Sequence, residues 1–221
     1  DGVSWFAADS TTTGAGGSIT IMGTTTGTGS SSDGVAAGGS ALSTEGDTAT
    51  ISITGVSAGD DGVALSNSGS TTTGAGGSIT IMGNTTGANG ANSDGVLIDD
   101  LTITSAAGAI LITGEASGTS GDGVEIEAGS AQAIDANGGA TITIIGTGDE
   151  AESGVQIDSP ISSETGFVTI RSEDGGSTTD DITFGAGGDI TSTSGTITID
   201  ADNAGNTADV FMADGAVIDA G

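Results

Sequence analysis

The segment Ser10–Gly23, with the sequence STTTGAGGSITIMG, recurs without change as Ser70–Gly83, 60 residues further along the chain. It contains the triplet Ile19-Thr20-Ile21, in which two apolar side chains flank a polar one. Similar triplets recur along the whole chain, and intervals of 26 to 32 residues separate their second apolar residues, which are Ile21, Ile53, Ile81, Ile112, Ile144, Ile170 and Ile199. A repeat of about thirty residues is typical of proteins built from stacked structural units.

Each repeat contains two further motifs. The first is Asp-Gly-Val, which begins at Asp1, Asp33, Asp61, Asp94 and Asp122 and continues in altered form as Ser153-Gly154-Val155, Asp180-Asp181-Ile182 and Ala208-Asp209-Val210. The second is a less regular apolar pair, found at Ala41-Leu42, Leu101-Thr102-Ile103, Ala133-Ile134, Ile161, Ile190 and Val217-Ile218. Since Ile and Val favour strands, each repeat is predicted to contain two regular strands and a third, less regular one.

The constant period predicts how these strands pair. Alternating apolar and polar residues lie on opposite faces of a strand, and identical strands can stack on one another about 4.8 Å apart. The sequence therefore predicts an all-β fold, a parallel β-solenoid of about seven coils that forms one repeat domain over residues 1–221 and is uncapped at both ends. We expect three sides and right-handed winding, which is usual for parallel crossovers.

The abundance of glycine suggests where the chain bends. Corners between short strands often need a positive φ, which glycine adopts at low cost. With 43 glycines in the chain, we expect two recurring glycines to form corners. They are the glycine of Asp-Gly-Val and the glycine two residues after each Ile-x-Ile triplet, such as Gly23 and Gly55.

The composition excludes many functions. The chain has 30 acidic residues, one basic residue, Arg171, and no histidine or cysteine, so its formal net charge is −29. It lacks the cations that nucleic-acid binding requires and the Cys and His ligands of common zinc sites. No apolar run is long enough for a membrane span. Catalysis would depend on carboxylates and hydroxyls without aromatic platforms for sugars, and we expect no enzymatic activity.

The repeat units resemble those of giant bacterial surface proteins. Gly-x-Ile-Thr-Ile units, such as the one in the stretch from Gly195 to Asn203, followed along the chain by Asp-Gly-Val motifs, are similar to the repeat tracts of filamentous-haemagglutinin-like adhesins and related β-strand-repeat proteins. The resemblance covers nearly the whole chain and implies an extracellular fibre or adhesin stalk at the bacterial cell surface. It implies stacking on copies of the chain or on adjoining repeats, and possible contact with surface glycans. It implies no catalytic residues.

The Asp-Gly corners are one candidate site. Stacked coils would place Asp33, Asp61, Asp94 and Asp122 in one column, where neighbouring carboxylates repel one another and Ca²⁺ would relieve the repulsion. The alternative is that these aspartates are turn residues whose side chains extend into solvent. Two further acidic groups, one of Asp149, Glu150 and Glu152 and one of Asp200 and Asp202, allow the same two interpretations.

The outward side chains of the Ile-x-Ile triplets are a second candidate. They should form a ladder that includes Thr20, Ser52, Thr80, Thr143, Thr169 and Thr198 and that Leu111 interrupts. Such a ladder is a possible binding face for ice or carbohydrate, although threonine is also a common outward residue in strands. Met22 and Met82 follow inward isoleucines, so they should point outward and contribute to lateral contacts between rods.

Overall fold

The protein is known from a computed structural model, which describes residues 1–6, 10–12, 16–39, 41–46, 48–66, 70–73, 76–87, 92–117, 120–127, 129, 133–148, 152–173, 181–201 and 209–221. Over these residues the regular secondary structure consists of 23 strands, numbered here along the chain, and no helix. The strands form three sheets of eight, eight and seven strands, so the prediction of an all-β fold is confirmed.

The first sheet comprises β1 (Val3–Phe6), β4 (Val35–Gly38), β7 (Val63–Ser66), β10 (Val96–Asp99), β13 (Val124–Ile126), β16 (Val155–Ile157), β19 (Ile182–Phe184) and β22 (Val210–Met212). The second comprises β2 (Ser10–Thr12), β5 (Leu42–Thr44), β8 (Ser70–Thr73), β11 (Thr102–Ser105), β14 (Ile134–Ala136), β17 (Ile161–Ser163), β20 (Ile190–Ser192) and β23 (Ile218–Ala220). The third comprises β3 (Ser18–Thr24), β6 (Thr50–Ser57), β9 (Ser78–Thr85), β12 (Ile110–Glu115), β15 (Ile142–Thr147), β18 (Val168–Ser172) and β21 (Ile197–Ala201).

The chain visits the three sheets in turn, and neighbours within each sheet are three strands apart in sequence. Every pairing between neighbours is parallel, from the contact of β1 with β4 to that of β20 with β23. The strands fall into seven consecutive triplets, followed by β22 and β23. This is the predicted three-sided parallel β-solenoid, and the irregular apolar pairs form its second sheet. The handedness of the winding stays a prediction.

Ladders of apolar residues, mostly isoleucine and valine, form the core. Ile21 pairs with Ile53, and Ile53 pairs with Ile81, so these three residues are vertical neighbours as expected. The inward isoleucines of β6, β9, β12 and β15 have no solvent exposure, while the residues between them face outward. Because each core side chain packs on its copy in the next coil, burial on the third sheet is nearly complete from the second coil to the sixth.

The recurring glycines have a different role from the one predicted. Positive φ occurs among the described glycines at other positions, namely Gly16, Gly39, Gly46, Gly76, Gly138 and Gly215. At Gly55, a Cβ atom would lie 1.8 Å from the carbonyl oxygen of Gly62 in the next coil. Gly83 has the same relation to Gly95, at 1.8 Å. These glycines allow two backbone segments to approach closely, and the expectation that they are needed for a positive φ is wrong.

Buried hydroxyl groups close the corner between the second and third sheets. Ser163 Oγ accepts a hydrogen bond from the Gly166 N–H at 3.1 Å, and Ser192 Oγ accepts one from the Gly195 N–H at 2.9 Å. Ser192 Oγ also donates to the Gly166 carbonyl of the coil below at 3.3 Å. These serines occupy inward positions, and they satisfy backbone groups that leave the sheet ladder at the corner.

Candidate functional site

The predicted aspartate column lies at the corner that precedes the first sheet. The valines of the Asp-Gly-Val motifs pair in register from coil to coil, namely Val35, Val63, Val96 and Val124. The aspartate that lies two residues before each valine therefore stands in a column along the solenoid. The Asp94 N–H donates to Asp61 Oδ1 at 2.9 Å, and the Asp122 N–H donates to Asp94 Oδ1 at 2.8 Å. Each of these carboxylates therefore accepts a hydrogen bond from the backbone amide of the next coil, just before the strands of the first sheet begin.

The column continues at both ends, with a longer contact at the first coil. The Asp33 N–H lies 3.4 Å from Asp1 Oδ1, and the Ser153 N–H donates to Asp122 Oδ1 at 2.7 Å. Ser153 has no carboxylate, but its backbone N–H still donates a hydrogen bond to the aspartate of the coil below. Asp180 and Ala208, the next positions of the column, lie outside the described residues.

These carboxylates are buried. Asp61, Asp94 and Asp122 are 6%, 2% and 6% exposed, and Asp33 is partly buried. The alternative in which these three side chains extend into solvent is therefore wrong. Turn propensity does not require a buried side chain. Here the hydrogen bond to the amide of the next coil directs the carboxylate along the solenoid axis, where neighbouring corners cover it.

Burial changes the protonation of the column. It raises the pKa of Asp61 from 3.8 to about 8, the nearby charges of Asp60 and Asp33 act in the same direction, and the Asp94 amide opposes them. Burial also raises the pKa of Asp94, and the negative charges of Asp61 and Glu125 add to this effect. The side-chain interaction with Glu125 acts in the same direction on Asp94, and it opposes the rise that burial causes in the pKa of Glu125. Near neutral pH, Asp61 and Asp94 therefore retain protons that exposed aspartates would have lost.

The aspartates divide into two carboxylate clusters instead of surrounding one point. One cluster contains Asp33, Asp60 and Asp61, and the other contains Asp94, Asp122 and Glu125. Within each cluster, one oxygen from each residue lies within 4.8 Å of the others. Sequence reasoning named Asp33, Asp61, Asp94 and Asp122 but missed Asp60 and Glu125.

The sequence does contain a signal for Glu125. It occupies an outward position of the first sheet, where the neighbouring strands β10 and β16 have Leu97 and Gln156. The Gln156 amide donates to Glu125 Oε1 at 2.9 Å and to Asp158 Oδ2 at 3.1 Å. Glu125 follows the column residue Asp122 by three positions, where the preceding coil has the apolar residue Leu97. This change from an apolar to an acidic residue marks the coil in which a third carboxylate joins the cluster.

A polar cleft of about 170 Å³ opens beside this second cluster and is lined by Asn92, Asp94, Ser120, Gly121, Asp122, Glu125, Glu152 and Gln156. Its carboxylate and amide oxygens are the donors that Ca²⁺ takes. Glu152 of the predicted acidic group lines the cleft, while Asp149 and Glu150 lie outside the described residues. In the other acidic group, Asp200 lies 3.8 Å from Arg171, and Asp202 is outside the described residues.

The outward ladder of the third sheet has the predicted register. Its consecutive members are Thr20, Ser52, Thr80, Leu111, Thr143, Thr169 and Thr198. Beside it, a second outward column includes Met22 and Met82, which are 71% and 46% exposed, so the prediction that these methionines point outward is confirmed. The ladder and the carboxylate column lie on different parts of the coil.

The fold defines the class of protein, which is a three-sided parallel β-solenoid repeat protein. No family model matches the chain, and neither a curated protein nor a solved structure matches it. Among the described residues, no helix has the length and apolar character needed to cross a membrane.

Proposed function

We propose that this chain is a structural building block of an extracellular bacterial fibre or adhesin stalk, in which it forms a rigid acidic rod for attachment or matrix formation. The observation that carries this proposal is the continuity of three parallel sheets along one axis, with identical side chains in register from coil to coil. Such a stack is extended by adding coils, and its net charge of −29 keeps separate rods soluble.

The inward side chains of the last described strands, β22 and β23, are partly exposed. Inward positions of β22 and β23 carry Val210, Met212 and Ile218, which are 44%, 42% and 36% exposed. Their counterparts in the coil below are Ile182, Phe184 and Ile190, and all three are fully buried. A further coil, from a longer chain or from a second copy, would cover these side chains and pair with the open strand edges.

Electron microscopy of the purified chain tests end-to-end assembly. We expect rods or filaments with an axial repeat of about 4.8 Å, the spacing of stacked strands. Ile218→Glu should shorten them because it places a charge in the stacking surface, while Thr191→Glu, on an outward face, should not. Isolated compact particles of the unmodified chain would contradict assembly from copies.

The extracellular location rests on the resemblance to adhesin repeats. Immunogold labelling of intact cells of the source, with antibodies raised against the purified chain, measures it directly. Label on the outer surface or on fibres is the expected result. Label that appears only after the cells are permeabilised would contradict this part of the proposal.

We also propose that divalent cations, Ca²⁺ in particular, bind at the carboxylate column. The cluster of Asp94, Asp122 and Glu125 supports this, because three carboxylates lie close together beside a polar cleft. Added CaCl₂ should raise the melting temperature of chelator-treated protein at pH 7, and Glu125→Gln should reduce that increase more than Glu45→Gln, which removes an exposed charge. An identical melting temperature with chelator and with CaCl₂ would contradict the site.

A second candidate function is binding of ice or a carbohydrate by the outward ladder, supported by the regular register of its threonines. Replacing Thr20, Thr80 and Thr143 with arginine should abolish ice-growth inhibition or glycan binding and leave the β-sheet content unchanged. Thermal hysteresis and glycan-array binding are the two measurements. Activity that survives the substitutions would locate binding elsewhere.

A further inference from the structure

The outer face of the third sheet differs in charge from the rest of the molecule. Across all seven strands of the third sheet, which the structure describes in full, the outward positions carry three charged residues, Glu115, Arg171 and Asp200. The whole chain has 30 acidic residues and one basic residue. Burial of this face therefore removes very little charge from water.

One outward column of this face is uncharged over the first five strands. It consists of Met22, Thr54, Met82, Thr113 and Ile145, which are consecutive neighbours in register, and it continues with Arg171 and Asp200. A groove of about 320 Å³ runs beside Met82 and is lined by Thr54, Gly55, Val56, Met82, Gly83, Asn84, Thr113 and Glu115. Exposed methionines are adaptable and fill irregular grooves, so a groove next to an exposed methionine fits a surface that carries the same two features.

We propose that two copies of this chain pair side by side through the outer face of the third sheet. The argument for a second copy is electrostatic. Two chains with a net charge of −29 repel one another, and repulsion is least when they meet through a face that is almost free of carboxylates. A basic partner would instead be drawn to the acidic corners and to the first sheet.

The area of the face is sufficient for such a pair. Seven strands about 4.8 Å apart, with two to four outward positions each, present roughly 600 Å² on each copy. The total of about 1,200 Å² is at the lower limit of stable protein interfaces. A two-fold contact would place the same column on both copies, so that each copy offers a methionine and a groove. This pairing does not depend on end-to-end stacking.

Sedimentation equilibrium and small-angle X-ray scattering of the full chain test the proposal. In 0.15 M salt, we expect a dimer whose cross-sectional radius of gyration is larger than that of one rod, because the copies lie side by side. The double variant Met22→Glu with Met82→Glu should weaken dimerisation by at least about tenfold, since like charges would then face one another. The matched control, Thr11→Glu with Thr191→Glu, adds the same charge on the second sheet and should leave the dimer intact.

Three results on dimer formation would overturn the proposal. They are an unmodified chain that stays monomeric at high protein concentration, a dimer that survives both methionine substitutions, and a dimer that the control variant also disrupts. Growth in length at a constant cross-section would also refute side-by-side pairing, while it would support end-to-end assembly. All four substituted residues face outward, so each variant should retain its β-sheet content. Circular dichroism measures that content.

Discussion

At the scale of single residues, the paired glycines show a requirement for close approach of two backbones. Gly83 lies inside a strand, where glycine is ordinarily destabilising, yet a Cβ there would lie 1.8 Å from the Gly95 carbonyl oxygen. Where the pattern changes, both positions change. Ser172 takes the place of Gly146 in the next coil, and Asp181 takes the place of Gly154. The requirement for glycine therefore applies jointly to the end of the third-sheet strand and to the corner before the next first-sheet strand.

Gly83→Ala tests this constraint. Because the added methyl group meets a backbone carbonyl that cannot rotate away, the free energy of unfolding should fall by about 2–3 kcal/mol. Gly139→Ala is the matched control, since its Cβ would meet its nearest neighbour, Thr165 Oγ1, at 3.9 Å. Urea unfolding of both variants provides the comparison. Equal stability of the two variants would show that close approach does not explain the recurring glycine.

At the scale of structural elements, short strands depend on what closes each corner. In the second sheet, the strands from β14 onward are only three residues long, so few backbone groups pair within the ladder. Ser163 and Ser192 supply hydroxyl groups that bond to turn amides and to carbonyls of the coil below. The corner is thereby bonded both within one coil and between coils.

Ser192→Ala measures the contribution of this corner. The substitution leaves the Gly195 amide and the Gly166 carbonyl without their buried partner, so we expect a loss of about 1–3 kcal/mol in the free energy of unfolding. Ser194→Ala, in the same turn but with an exposed side chain, should change stability by less than about 0.5 kcal/mol. Chemical unfolding followed by circular dichroism distinguishes these values, and a similar loss in both variants would contradict the assigned role of Ser192.

At the scale of the whole molecule, the buried column links stability to pH. The folded-state pKa of Asp61 is about 8, compared with 3.8 for an ordinary aspartate, so between these values the folded chain binds more protons than the unfolded chain. Its stabilising contribution is complete below about pH 4 and decreases as the pH rises towards 8. The slope is about 1.4 kcal/mol per pH unit for each proton retained on folding.

We predict that metal-free protein becomes less stable between pH 5 and pH 8 and that Asp61→Asn reduces this dependence. Asparagine keeps an oxygen for the Asp94 amide but cannot ionise, so the variant should be more stable than the unmodified chain at pH 8. Glu45→Gln, which removes an exposed charge, controls for the general effect of net charge. Urea unfolding at each pH is the measurement, and an equal slope in the unmodified chain and in Asp61→Asn would contradict the prediction.

The architecture was predictable because it depends on local periodicity. Alternation over three residues determines which side chains face inward, and a repeat of about thirty residues determines which strands are neighbours. The ladder from Ile21 to Ile53 to Ile81, the outward threonines and the outward Met22 and Met82 follow from these two rules. No knowledge of the corners was needed to place them.

Only the tertiary structure decided the rest, because it depends on how the corners close. Burial of Asp94, its contact with Glu125 and the membership of Asp60 in the first cluster are contacts that alternation along a strand does not determine. The close approach of Gly55 to Gly62 likewise joins segments of different coils. The sequence by itself determined the repeat, the inward faces and the register. Which carboxylates lie close together, and how deeply they are buried, depends on the path of the backbone between strands. Only the tertiary structure gives that path.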